Sequence, residues 1–297
     1  MVVERSVTCY HVYFAESDIV CETTLMIEIM ITYILLLVEI ALVSTGVYVF
    51  VHRKTHISLS YLYKDNVVNI AVVCGAAYGL MQVLPVWAVA IGMLVVVGVS
   101  AVVLFAIRFY RKPFWRMGAK NAKANHVISS ADGRVIYIKK IASGEVPVSV
   151  KNGRKATLTE IMQTGIMDYP CWLIGIEMTP FDVHRNGAPV DGRVVLNKHI
   201  DGEFRSLKDS EALAHNERNT MVFEMADGKK IGIVQTASRM VRRIVTYVEE
   251  GTSVKKGDWI GMIKFGSQVD MIVPESAKVC VEVGQQVYVQ ESIIAEL

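Results

Sequence analysis

VEEGTSVKKGDWI, residues 248–260, returns 33 positions later as VEVGQQVYVQESI, residues 281–293. Val248, Gly251, Val254 and Ile260 recur as Val281, Gly284, Val287 and Ile293, so a V-x-x-G-x-x-V unit occurs twice in the C-terminal region. The segment between the copies includes IGMIKFGSQVDMIVPE, residues 260–275, with Phe265-Gly266-Ser267 near its centre. Gly and Ser are common turn residues, so a turn between two strands is the plain reading. The other reading is chemistry at the Gly266–Ser267 peptide bond, and the rest of the chain has to decide between them.

Working outward, residues 126–297 alternate short β-rich runs with glycine: VISSADGRVIYIKKI, APVDGRVVL, NTMVFEMADGKKIGIVQTA and RRIVTYVEEG. Asp-Gly recurs at 132–133, 191–192 and 227–228, each before or between apolar runs, which is a hairpin signal. Helical patterns are confined to residues 157–164 and 236–242. The expectation is a mainly β (α+β) domain over residues 108–297.

The first 107 residues differ in kind. The chain is 52% hydrophobic, and that excess is concentrated before residue 108. Residues 25–51 are long enough to cross a bilayer, which takes about 20 apolar residues. Glu28 and Glu39 interrupt the run, and Glu39 near its middle costs roughly 2.5–3.5 kcal/mol. Residues 67–107 contain no charged residue and are long enough for two crossings, 67–84 and 86–107, with Pro85 at the hairpin; a kinked or re-entrant pair is the alternative. Arg53 and Lys54 follow the first span, and Arg108, Arg111 and Lys112 follow the last. Residues 1–24 carry Glu4, Glu16, Asp18 and Glu22 against one Arg. The positive-inside tendency then predicts a multi-pass cell-membrane protein whose soluble domain faces the cytoplasm. The polar, acidic opening lacks the layout of a signal peptide.

A net charge of +2 gives no footprint for nucleic acid. Five scattered cysteines without a CxxC pair suggest neither a disulfide framework nor a metal site, and fit a reducing compartment.

The 33-residue repeat resembles the two halves of a lipoyl or biotinyl carrier, a barrel-sandwich whose modified lysine occupies the hairpin between halves. Here that connection holds FGSQVD. Lys264 is nearby, but outside the Met-Lys context of the carriers.

Four further stretches join the Gly-Ser step: FYRKPFWR at 109–116, SSADGRV with Asp132, MTPFDVHRNGAPVDG with Asp182 and His184, and ALAHNERNTMV with Asn216-Glu217-Arg218-Asn219. In this order they resemble the phosphatidylserine decarboxylase family, specifically its short, archaeal-like membrane members, over roughly residues 108–297. The resemblance implies self-cleavage. The Ser267 hydroxyl attacks the Gly266 carbonyl, and β-elimination releases a β chain (1–266) and an α chain (267–297) that opens with a pyruvoyl group made from Ser267. An unhindered glycine carbonyl and a base for the hydroxyl proton suit that step. The matching base is His184, which also serves as acid, with Asp132 orienting it. The mature α and β chains are then implied to convert phosphatidylserine or archaetidylserine in the membrane to the ethanolamine lipid plus CO2 through a Schiff base, without a metal. A homodimer is implied too.

The chain departs from the family pattern in places. Many relatives carry a second histidine where this chain has Gly187, so either His184 serves both steps or another histidine substitutes; His199, in NKHIDGEF, is the leading second acid/base. RKP replaces Arg-Asp-Pro at the membrane exit, and His215 stands where a Glu often precedes NERN. Phe181, Asn216, Arg218 and Phe265 are candidates for substrate binding. Arg218 suits a lipid phosphate or a structural carboxylate equally, and 216–219 also reads as a solvated loop. The basic flank Arg108, Arg111, Lys112 and Arg116 is most simply a topology signal; the alternative is attraction of anionic headgroups, at roughly 1 kcal/mol per residue near the surface. Two other functions remain open: a membrane-anchored carrier or adaptor without catalysis, which needs an uncut chain and a modified lysine, and a Ser-His-Asp hydrolase, for which no G-x-S-x-G elbow is present.

Overall fold

The structure is a computed structural model that describes residues 27–50, 53, 59–113, 115–142, 162, 165, 167, 170–179, 182–203, 205–206, 215–238, 244–264 and 267–297. The N-terminal segment 1–24, Phe181, Phe265 and Gly266 lie outside the described residues. The chain divides into two compact units, Met1–Phe105 and Ala106–Leu297.

The first unit contains α1 (Ile27–Phe50), α2 (Leu59–Met81) and most of α3 (Val86–Tyr110). Pro85 immediately precedes α3, its carbonyl accepting from Ala88 and Val89. Among the described residues, Ile27–Phe50 and Trp87–Ile107 are the two helices long and apolar enough to cross a membrane. The middle span differs from the expected 67–84. Its helix begins eight residues earlier and carries Asp65, Asn66 and Asn69 as buried groups. Two of these bind across the helices. Ser44 donates to Asn66 Oδ1 (2.6 Å), Asn66 donates to Thr45 (2.9 Å), Asn69 donates to Ser44 (3.0 Å), and Ser100 donates to Asn69 Oδ1 (2.5 Å). Polar contacts of this kind join helices where apolar packing alone has no preferred partner. Leu36, Ile40, Val73, Ala77, Met93 and Val97 complete the packing.

The second unit is mainly β: β1 (His126–Ile128), β2 (Gly133–Ile141), β3 (Cys171–Met178), β4 (Arg185–Gly187), β5 (Gly192–Ile200), β6 (Arg218–Glu224), β7 (Lys230–Ala237), β8 (Ile244–Thr246), β9 (Ser253–Val254), β10 (Trp259–Ile263), β11 (Ser267–Pro274), β12 (Lys278–Val279), β13 (Gln286–Val287) and β14 (Ile293–Glu296), with a short α4 (Gly118–Asn121) before them. One sheet runs β13-β2-β3-β11-β7-β6-β5-β9, and two small sheets run β1-β14-β12 and β4-β10-β8.

These orders are those of a duplicated half. The sequence DGRV occurs at 132–135 and 191–194, and each copy binds one arm of the 33-residue repeat. Gly133 pairs with Val287 as Gly192 pairs with Val254. Gly284 N donates to Val135 O as Gly251 N does to Val194 O, both at 2.7 Å. Val289 N donates to Asp132 (2.8 Å) as Lys256 N donates to Asp191 (2.7 Å). Gly251 and Gly284 share the left-handed backbone, at φ 89° and 92°, where glycine carries no steric cost. The repeat therefore does not fold as a self-contained carrier sandwich. Arms of two residues, β9 and β13, are too short to make a sheet alone and each borrows a nine-residue partner. The two arms meet at Gln290, whose amide donates to Gly257 O at 2.5 Å.

Strands β4 to β10 form one half, inserted between β3 and β11 of the other. Ser267 thus begins β11 where the chain returns to the first half, in the middle of the large sheet. Its backbone registers with Met178 on β3 and Ala237 on β7. Of the three Asp-Gly steps only 227–228 closes a hairpin, joining β6 to β7. Those at 132 and 191 pass the chain from a small sheet to the large one. A Cβ on Gly133 or Gly192 would come within 2.4 Å of the Glu177 or Glu224 carbonyl. Thr236 and Ala237, expected in a helix, end β7; Met162 is helical as expected.

Candidate functional site

His184 lies two residues after Asp182, whose side chain binds back to Thr179. Asp182 Oδ2 accepts from Thr179 N (2.7 Å) and Oγ1 (2.8 Å), and Oδ1 accepts from Gln286 (3.2 Å); burial raises its pKa. The His184 ring is fully buried and stacks on Phe109 at 4.0 Å. Nδ1 lies 2.9 Å from the Asp182 carbonyl, an oxygen that only accepts, so Nδ1 carries the proton and Nε2 is bare. Nε2 has no hydrogen-bond partner among the described residues. Burial pushes the ring pKa down to about 4, against the Asp182 carbonyl and the Asp132 charge, so His184 is neutral at pH 7. Its own carbonyl accepts from Ile263 N (3.0 Å), at the end of β10, three residues before Gly266. His184 is therefore fixed against the strand that delivers the Gly266–Ser267 step.

Asp132 is anchored differently from expectation. Its carboxylate is filled by a two-pronged pair with Arg116 (2.5 and 2.8 Å) and by the amides of Val289 (2.8 Å) and Val183 (3.3 Å). No hydrogen bond joins it to the His184 ring, because those four donors already occupy its lone-pair positions. It acts on His184 by holding the Val183 amide next door and by its charge, which raises the histidine pKa. Arg116, read from sequence as a topology signal, is nearly buried in this pair.

The other expected residues fall elsewhere. His199 aligns through Asn219 and Gln235 with Val269, three strands from β11, about 14 Å at normal sheet spacing. Its ring is half-exposed, 3.5 Å from Asp201 and from Glu217. The structure does not bring it to Ser267. Residues 216–219 are not a solvated loop: all four are buried and Arg218 starts β6. Asn216 ties Arg205 to Ala237, and the Arg218 guanidinium donates to the Asn216 carbonyl (3.2 Å).

Asn219 apart, the members of two buried polar groups escaped the sequence reading. An amide chain crosses the interior, Asn219 donating to Asn197, Gln235 to Asn186, and Asn186 to the Ser130 carbonyl beside Asp132. The second adjoins Ser267 directly. Gln268 donates to Tyr137 Oη (2.8 Å) and to Asp270 (2.9 and 3.1 Å), and Tyr137 donates to Asp270. Gly175 makes room for the Tyr137 ring, since a Cβ there would lie 2.4 Å from it. Alternation along β2 and β11 could have paired Tyr137 with Asp270, but only once the strand register was known.

Burial raises the Asp270 pKa from 3.8 to about 6. The neutral acid is the form the fold favours, so the stabilisation is complete below pH 4 and is lost as pH rises through 6. Two pH units correspond to about 3 kcal/mol. Asp270→Asn keeps an acceptor for Tyr137 and removes the titration. Thermal melts between pH 4 and 7 should show wild type losing stability against Asp270→Asn as pH rises; parallel curves would contradict it.

Among the described residues no cluster of His, Cys, Asp and Glu could hold a metal ion. A family model described as phosphatidylserine decarboxylase matches residues 102–295. A protein of Methanocaldococcus jannaschii, provisionally named an archaetidylserine decarboxylase proenzyme, is 37% identical over 199 residues, covering 67% of this chain and 93% of its own. A protein of Methanothermobacter thermautotrophicus with the same provisional name is 36% identical over 195 residues, 65% and 81% of the two chains. The phosphatidylserine decarboxylase proenzyme of Geotalea uraniireducens is 34% identical over 196 residues, 66% and 81%.

Proposed function

The chain belongs to the phosphatidylserine decarboxylase family, and on that premise we propose that it is a self-processing, pyruvoyl-dependent decarboxylase of a phosphatidylserine-type lipid. The observation that carries this reading is the bare, buried Nε2 of His184 beside the strand that leads into Gly266–Ser267. The relatives are named proenzymes, which supports a chain that must be cut before it acts.

In this reading His184 Nε2 takes the hydroxyl proton of Ser267 as the oxygen attacks the Gly266 carbonyl, and passes it to the Ser267 nitrogen as the Gly266–Ser267 C–N bond breaks, leaving an ester and a free amine. Nδ1–H stays on the Asp182 carbonyl and holds the ring in that tautomer. Elimination then breaks the new ester, leaving a carboxylate on Gly266 and a dehydroalanine at 267 whose hydrolysis releases ammonia. Asp132 holds the His184 segment through Val183 and ties Val289, part of the small fragment, to the large one after the cut. The residues fit a pyruvoyl group at 267. The position opens the central strand, and Gln268 is clamped to Tyr137 and Asp270, so the strand end keeps its place once its covalent tether is lost. When formed, that group supplies an electron sink for the pair left as CO2 departs. In each turnover His184 would relay a proton from solvent, through Nε2, to the carbon that loses CO2. His199 is too far along the sheet for that role. Arg218, bound to a backbone carbonyl inside the sheet, reads as structural.

The two apolar helices support membrane association, and the basic residues after the second favour a decarboxylase domain on the cytoplasmic side. A membrane substrate accounts for that tether.

The test is decarboxylation by the full-length protein in mixed micelles with phosphatidylserine or archaetidylserine. CO2 release from at least one lipid should be abolished by cyanoborohydride added with substrate, which leaves the lipid amine bonded to the 267–297 fragment. Turnover by an uncut chain, or inhibition without that adduct, would overturn the proposal.

A further inference from the structure

A cleft of about 350 Å³ lies between the segment that follows α3 and the turn at Gly257. Lys112, Arg116, Lys120 and Lys256 line it, with Asp258 and Trp259. Arg116 is already paired with Asp132, so three lysines face one carboxylate, and that carboxylate already accepts from the Lys255 amide (2.8 Å). Lys256 donates to the carbonyls of Lys123 (2.6 Å) and Ala124 (3.4 Å), which leaves one of its three protons for a ligand. Burial lowers its pKa, the response of an ammonium short of solvent. Lys112 and Lys120 are exposed at the rim.

The cleft is also close in sequence to a bilayer span. Lys112 follows the end of α3 by two residues, within about 7 Å of chain. Tyr110 and Trp115, both exposed, flank it, and aromatic rings of this kind gather at membrane–water interfaces.

We propose that this cleft binds the phosphoryl group of an anionic lipid, at a site separate from the one where the substrate is decarboxylated. The separation follows from the strand. Trp259 in the cleft and Ile263 beside His184 are four residues apart on β10, about 13 Å. In a phosphoserine headgroup four bonds join phosphorus to the reacting amine, about 5 Å at most. A headgroup of that length is shorter than this spacing, which favours a second lipid molecule in the cleft. Arg116 is shared between the cleft and Asp132, so the bound anion lies one side chain from the anchor of the His184 segment. The inference rests on the membrane reading, not on the decarboxylase chemistry.

The test uses full-length protein in a neutral detergent, titrated with phosphatidylglycerol or phosphatidylcholine and read by native mass spectrometry. Phosphatidylglycerol has no amine to react at position 267. Wild type and the uncut Ser267→Ala chain should both retain one phosphatidylglycerol in preference to phosphatidylcholine. Lys112→Gln with Lys120→Gln should weaken that binding by about 30-fold, from the attraction usual per basic residue near a membrane surface. The double variant should still cleave itself, which shows that it is folded. Inorganic phosphate distinguishes the sources: displacement at millimolar concentration assigns the site to the phosphoryl group alone, and no displacement assigns it to the intact lipid. Equal retention of both lipids, or no change in the double variant, would overturn the proposal. Loss of decarboxylation with lipid retention intact would count against the enzyme reading only.

Discussion

Ser267→Ala leaves the chain whole and without decarboxylase activity. Alanine has no hydroxyl to attack the Gly266 carbonyl, so neither the ester nor the group derived from it can form. Denaturing gels of wild type should show two fragments and those of Ser267→Ala one. The alanine side chain still suits the start of a β-strand, so melting of the variant should stay close to that of uncut wild type. Cleavage of Ser267→Ala at the same bond would contradict the assignment of the nucleophile.

His184→Ala should slow self-cleavage by about 10²–10⁴, the usual contribution of a positioned general base. The pH dependence separates this role from a packing role. With its pKa lowered to about 4, the ring stays neutral well below 6.5. Cleavage of wild type, followed from pH 8 downward, should hold its rate through pH 6 and fall only as pH approaches 4. An inflection near 6.5 would mean that the ring is solvated when it acts. The same depressed pKa makes folding less stable as pH falls from 6.5 toward 4, the opposite sign to Asp270. Melts of His184→Ala should lack that component.

The 33-residue repeat told correctly that a duplicated unit surrounds the Gly-Ser step. It did not tell what each copy pairs with, because the partner strands β2 and β5 lie over 100 and about 60 residues upstream of the arms they bind, and local patterning cannot specify long-range register. The DGRV pair was visible as two turn signals; only the structure joined each to its arm and turned two expected hairpins into sheet crossings. The motifs around His184 and Asp132 were visible in the sequence, and the fold joins their segments through the Val183 amide. The partner of Asp132 was not: Arg116 reads as one more basic residue after a membrane helix until the fold brings it to a buried carboxylate. Arg218 misled for the converse reason, since a polar run before a strand looks solvated when nothing local shows that the strand is interior.

The central claim is that the peptide bond at Gly266–Ser267 is spent to make the reactive group. Intact-mass measurement of the purified wild-type protein tests it most directly. The account predicts a fragment of residues 267–297 lighter than its serine form by the mass of ammonia, with a complementary fragment ending at Gly266. A single full-length chain in an active preparation, or a 267–297 fragment that still begins with serine, would contradict it.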